Sequence, residues 1–105
     1  MNIIDNLVNQ SKNKTKLITS FIRFKDKEKL QNYYYSPIDK LHIYDKIYCL
    51  SKSTLEIQYY GIIVAINLKK ISLLSKNYTI HLDKEEYYFF KKLTKYNIFY
   101  DLLDS

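Results

Sequence analysis

The chain has 105 residues, 47% hydrophobic and 16% aromatic, with 12 Tyr, 5 Phe and no Trp; this excludes a disordered chain and bounds it to one domain (residues 1–105) with one core. Lys and Arg outnumber Asp and Glu by 17 to 11, for a net charge of +6, which favours an anionic partner such as nucleic acid or an acidic protein surface. Because the excess falls on Lys, Asn, Ile and Tyr, with a single Arg, AT-rich codon usage accounts for the basicity as well as selection does.

Residues 2–8 place Ile3, Ile4, Leu7 and Val8 on one helical face. The polar run 9–16 (NQSKNKTK) leads into LITSFIRF at 17–24, where helical and alternating patterns both fit. We expect one long helix over residues 2–24, since neither Gly nor Pro interrupts it. Asp26 is placed to cap a second helix, DKEKLQNYYY, that Ser36 and Pro37 end. Residues 1–40 are therefore expected to be a helical, basic segment.

From Leu41 the period changes to two, with a first strand expected at 46–50. After the polar loop SKST comes a strand at 55–66, long enough to need a bend, which Gly61, the chain's one glycine, is expected to supply as a bulge or tight curve. Shorter strands follow at 71–74 and 78–82 after tight turns, then a helical turn at DKEE (83–86) and a last strand, YYFF, at 87–90. Residues 41–90 thus form a β-rich core, and residues 91–105 a tail expected to pack back as a helix through Leu93, Tyr96, Ile98, Phe99, Leu102 and Leu103. The fold class is α+β: a small antiparallel curved sheet or barrel of about five strands with helical segments at both ends.

The stretch DKIYCLSKSTLEIQYYGIIVAINLKKISLLSKNYTIHLDKEEYYFF, residues 45–90, resembles SH3-like small barrels carried by phages and mobile elements of low-GC bacteria: five short strands with a helical turn before the last. The resemblance implies a binding module in a bacterial host cytoplasm. Small basic proteins of that type resemble inhibitors of host machinery, anti-CRISPR proteins among them. Fold likeness alone does not transmit a function.

Little in the chain points to catalysis. His42 and His81 have neither a cysteine pair nor a carboxylate at metal-ligand spacing, Cys49 lies in an apolar strand, and Asp83, Glu85 and Glu86 suit the start of a helical turn. We expect no enzyme activity, cofactor or metal. With one cysteine there is no internal disulfide, and the longest apolar window, residues 59–68, is about half a membrane span. A cytoplasmic protein without membrane association is expected.

Binding residues are sought where charge and tyrosine concentrate. Residues 12–29 hold seven basic side chains, including Lys12, Lys14, Lys16, Arg23, Lys25 and Lys27, against two acidic ones. They suit either a phosphate-binding face or an ordinary solvated one. Tyr59 and Tyr60, like Tyr87 and Tyr88, are consecutive in a strand and must face opposite sides, so some tyrosines lie at the surface or beneath another element. With Lys69 and Lys70 they complete the candidate contact set. The expected partner is a host protein or nucleoprotein complex, bound through tyrosine and lysine. The alternative is sequence-tolerant nucleic-acid binding, with lysines on phosphates and tyrosines stacking on bases. Homodimerisation is compatible with the apolar content.

Overall fold

A computed structural model describes residues 17–92. Within them, a short helix α1 (Phe24–Lys29) precedes six antiparallel strands: β1 (Tyr33–Ser36), β2 (Lys46–Ser51), β3 (Ile57–Ile66), β4 (Lys70–Ser75), β5 (Tyr78–Asp83) and β6 (Tyr87–Lys92). The strands form one open sheet in the order β1-β6-β2-β3-β4-β5. Strands β2 to β5 run as a meander, and β6 returns to pair with both β2 and β1. A 3-10 helix at Lys84–Glu86, capped by the Asp83 carboxylate accepting from the Glu85 N–H at 2.9 Å, makes that return.

Alternation along the strands divides the sheet into two faces. The inner face buries Ile47, Cys49, Ile63, Ile71, Leu73, Leu82 and Phe89 in one cluster, closed at its rim by Leu41. On the outer face, Leu50 and Phe90 form a second cluster with Ile18, Ile22 and Leu30 of the N-terminal segment. β2 and β6 are thus apolar on both sides, which explains the unbroken apolar pair Phe89–Phe90.

Asp26, the only buried residue of α1, fastens that helix to the sheet. Its carboxylate accepts from Arg23 Nε and Nη2 at 3.4 and 3.2 Å and from the Ile57 N–H at 3.4 Å, at the start of β3. Asp26 is therefore an anchor inside the helix, and Arg23 holds the N-cap position that we expected Asp26 to fill.

Three more expectations are corrected. Helix α1 ends at Lys29, and Asn32, at φ 68°, turns the chain into β1, so YYY is strand and residues 1–40 are not uniformly helical. The three tyrosines fit a pleated surface beside β6, where Tyr35 lies opposite Phe90. A continuous helix to Phe24 is excluded, because residues 17–19 are helical but the chain turns at residues 20–22; the part of that helix at 2–16 lies outside the described residues. Lys91 and Lys92 belong to β6, so no helical tail begins at 91; the rest of the tail, 93–105, is also outside the described residues.

Gly61 does not sit at a bulge, and a close approach of the neighbouring strand is what requires glycine there. The register shifts lie at Cys49/Leu50 and Ile63/Ala65, whereas a Cβ on Gly61 would stand 2.5 Å from the Leu74 carbonyl oxygen. The missing side chain lets the β4 backbone lie close against β3.

Candidate functional site

Of the ten sequence-derived contact residues, the seven that are described do not converge on one place. Lys12, Lys14 and Lys16 lie outside the described residues. Arg23 is engaged internally, with Asp26 at 3.2 Å and Glu56 at 3.5 Å, while Lys25 and Lys27 stand exposed on α1. Tyr59 faces inward against the core, its ring 6.1 Å from that of Tyr87. Tyr60 faces outward and is 43% exposed. Lys69 lies in the exposed β3–β4 turn and Lys70 opens β4, and Asn67 Oδ1 accepts from both backbone N–H groups, at 3.0 and 2.7 Å.

Tyr60 instead belongs to a strip on the outer face. Register places Tyr48 beside Tyr60 and Lys46 beside Ile62, and Ile62 beside Leu74. The Tyr48 ring lies 5.6 Å from that of Tyr60 and 4.8 Å from that of Tyr33, so an aromatic row runs from the covered half of the sheet to the open half. Ile62, Val64 and Leu74 are 40%, 37% and 44% exposed. Lys46, beside Ile62, and Lys70, opposite Asp83, are exposed at the margins of this apolar strip. Leu17, Phe21 and Phe24, before and at the start of α1, are exposed too.

Beside the end of the strip, Tyr44 is 81% exposed and holds φ at 74°. Its N–H donates to the Ile63 carbonyl at 2.7 Å, and the Ile63 N–H donates to the Asp45 carbonyl at 3.0 Å. A bulky residue in the left-handed region costs about 1–3 kcal/mol and persists only where its surroundings fix it. Here these two bonds hold the backbone that presents the ring to solvent.

The remaining chemistry-bearing groups serve the fold or lie open. Cys49 is fully buried, and burial pushes its thiol far above the usual range, so it is not a thiolate nucleophile. Asp45, also buried, accepts from the His42 N–H at 2.8 Å and stands 3.9 Å from Lys91 Nζ, which donates to the Lys40 carbonyl at 2.7 Å. These contacts tie the loop before β2 to β6. Ser72 and His81 share a 2.7 Å hydrogen bond between Oγ and Nδ1 on the outer surface of β4 and β5. A polar depression lined by Ser51, Lys52, Ser53, Gln58, Glu86 and Tyr87 has its Ser51 hydroxyl engaged in the local turn with Ser53 and Thr54. Among the described residues no group of three or more His, Cys, Asp and Glu side chains is placed to hold a metal, and no helix is long and apolar enough to cross a membrane.

Compared with protein-family models, curated proteins and solved structures, the chain matches none.

Of the strip, sequence reasoning reached Tyr60 and Lys70 and missed Ile62, Val64 and Leu74. Apolar residues on a strand signal burial unless one knows that no described element covers that side.

Proposed function

We propose that this chain is a small non-enzymatic binding protein that covers a surface of a protein or nucleoprotein partner with the outer face of β3 and β4. The observation that carries the proposal is the contiguous exposure of Tyr60, Ile62, Val64 and Leu74 on neighbouring strands. Contiguous apolar surface of this kind, rimmed by polar groups, marks interaction sites. Tyrosine is an enriched anchor in protein interfaces, and the flanking lysines favour an acidic rim on the partner. The SH3-like assignment is part of the same proposal, supported by the β2–β5 meander, the 3-10 helix and the return of β6 to β2.

A second reading, nucleic-acid binding, draws on Tyr60 and Lys46 lying on the same face. It is the weaker of the two because Arg23 is engaged by Asp26 and Glu56, and because aliphatic side chains occupy the middle of the strip.

The test is an affinity pull-down from bacterial lysate with the full-length chain, with and without nuclease and at two salt concentrations, alongside the variant Ile62→Thr/Leu74→Lys. Protein retained after nuclease and at the higher salt, and lost with the folded variant, is the expected result. Recovery of nucleic acid alone, lost with salt, would favour the second reading. Equal capture by the variant would remove this face from the proposal.

A further inference from the structure

Among the described residues, four other than glycine hold φ in the left-handed region: Asn32 at 68°, Tyr44 at 74°, Leu55 at 57° and Lys76 at 53°. Three of them have a local reason. Asparagine tolerates this region better than most side chains do. Lys76 is the first residue of the two-residue β4–β5 turn, where the twist of the strands calls for positive φ. Leu55 offsets the strain by packing on the outer cluster of Leu50 and Phe90. Tyr44 has none of these, and no described element covers its ring. It is the third residue of a four-residue turn closed by the Asp45 N–H on the His42 carbonyl at 3.1 Å, and with positive φ that place ordinarily goes to glycine or asparagine.

The turn is held in this shape by β3 and β6. The Tyr44 N–H bonds the Ile63 carbonyl and the Ile63 N–H bonds the Asp45 carbonyl, so the β2–β3 ladder continues past Lys46. The buried Asp45 carboxylate accepts from the His42 N–H and stands 3.9 Å from Nζ of the buried Lys91, which donates to the Lys40 carbonyl. A buried ion pair adds little net stability, because desolvation offsets its attraction. Its effect here is on shape: it ties the turn to β6 and fixes the direction in which the Tyr44 side chain leaves the backbone.

We propose that Tyr44 is the anchor of the binding face, seating its ring in a pocket of a folded protein partner while Ile62, Val64 and Leu74 pack beside it. The inference rests on the binding role proposed for that face, and adds the residue that leads and the kind of surface that receives it. A side chain whose backbone is already fixed gives up less freedom on binding. Tyrosine, apolar along its ring and polar at its tip, is among the residues that carry most interface energy when seated in a pocket. The exposed side chains nearest in the chain and on β3 are aliphatic, Ile43 in the same turn and Ile62 and Val64 on either side of Ile63. They suit the rim of a protein pocket better than a stack of bases.

The test uses the full-length chain as bait on bacterial lysate, with capture titrated against bait concentration and the fold followed by thermal denaturation. Tyr44→Asn suits a left-handed turn position, so it should hold or raise the denaturation midpoint. It should weaken capture of the same protein roughly thirtyfold, the loss expected of a hot spot. Tyr44→Phe keeps the ring and should keep most of the capture. The dependence on Tyr44, not capture itself, is the result that supports the proposal. A midpoint that falls with Tyr44→Asn would show that the ring packs on its own chain, and would overturn it. Equal capture by Tyr44→Asn, with loss by Ile62→Thr/Leu74→Lys, would remove the anchor and keep the face. Capture retained by Ile62→Thr/Leu74→Lys, or no capture by the unaltered chain, would overturn the face and the anchor with it. Capture abolished by nuclease would place the ring on bases and overturn the protein pocket.

Discussion

On the β1–β6–β2 half of the outer face, Leu50 and Phe90 are wholly buried, whereas on the β3–β4 half Ile62 and Leu74 remain 40% and 44% exposed. Both halves are built from the same aliphatic and aromatic residues, so hydrophobicity does not distinguish them. The difference is made by Ile18, Ile22 and Leu30, which pack on the first half. The aromatic row Tyr33–Tyr48–Tyr60 crosses the boundary, and Tyr60 marks the point where cover ends. Apolar surface under the N-terminal segment stabilises the fold, while no described element covers the apolar surface beyond it.

The strongest test of this division is Phe90→Ala. Truncating a buried Phe removes its transfer free energy and leaves a cavity, so a loss of about 3–5 kcal/mol is expected in urea or thermal denaturation. A loss no larger than that from the open half would mean that the covered half is not packed. Gly61→Ala comes next, because the new methyl group would be driven against the Leu74 backbone. Overpacking of this kind costs about 1–3 kcal/mol, and a neutral outcome would show that β4 does not approach β3 so closely.

The covered half also predicts a response to alkali. Burial, and then the neighbouring Tyr48, raises the Tyr33 hydroxyl above its usual 10.0; burial, followed by Tyr88 and Asp39, does the same for Tyr35. A raised folded value means that the native state holds the proton more tightly than the unfolded chain does. The contribution is therefore present below pH 10.0 and is lost as pH rises from there through the folded values. Tyrosinate absorbance should appear later in the native protein than in urea, and the denaturation midpoint should fall above pH 10.0. Superimposable native and unfolded titrations would contradict the burial of these rings.

The β2–β5 meander was legible because each strand alternates and each turn is short, and the division of Tyr59 from Tyr60 follows from the two-residue repeat alone. β1 was not legible: DKEKLQNYYY fits a helix with no internal Gly or Pro, and it is pairing with β6 and the left-handed Asn32 that make Tyr33–Ser36 a strand. At Gly61 the sequence suggested a bend, whereas what requires glycine there is the approach of the Leu74 carbonyl, a tertiary contact. The open strip was the least legible part. Ile62 and Leu74 carry the same local signal as Leu50 and Phe90 of the same face, and only the extent of the N-terminal cover tells them apart. Tyr44 owes its exposure to a backbone angle that its residue type does not disclose.

The smallest expected stability effect is also the one that bears most directly on function. Ile62 and Leu74 lie directly opposite one another in the β3–β4 pairing, partly in contact with water. Ile62→Thr keeps the β-branch that suits a strand, and Leu74→Lys places a charge where solvent already reaches, so neither creates a cavity nor buries an unpaired group. Each should change stability by no more than about 0.5 kcal/mol, as surface substitutions usually do. If the two together lower the denaturation midpoint as Phe90→Ala does, the β3–β4 half is covered in solution and its apolar residues are core. If stability holds while partner capture is lost, the same side chains are spared a folding role and committed to binding, and the boundary at Tyr60 separates the two.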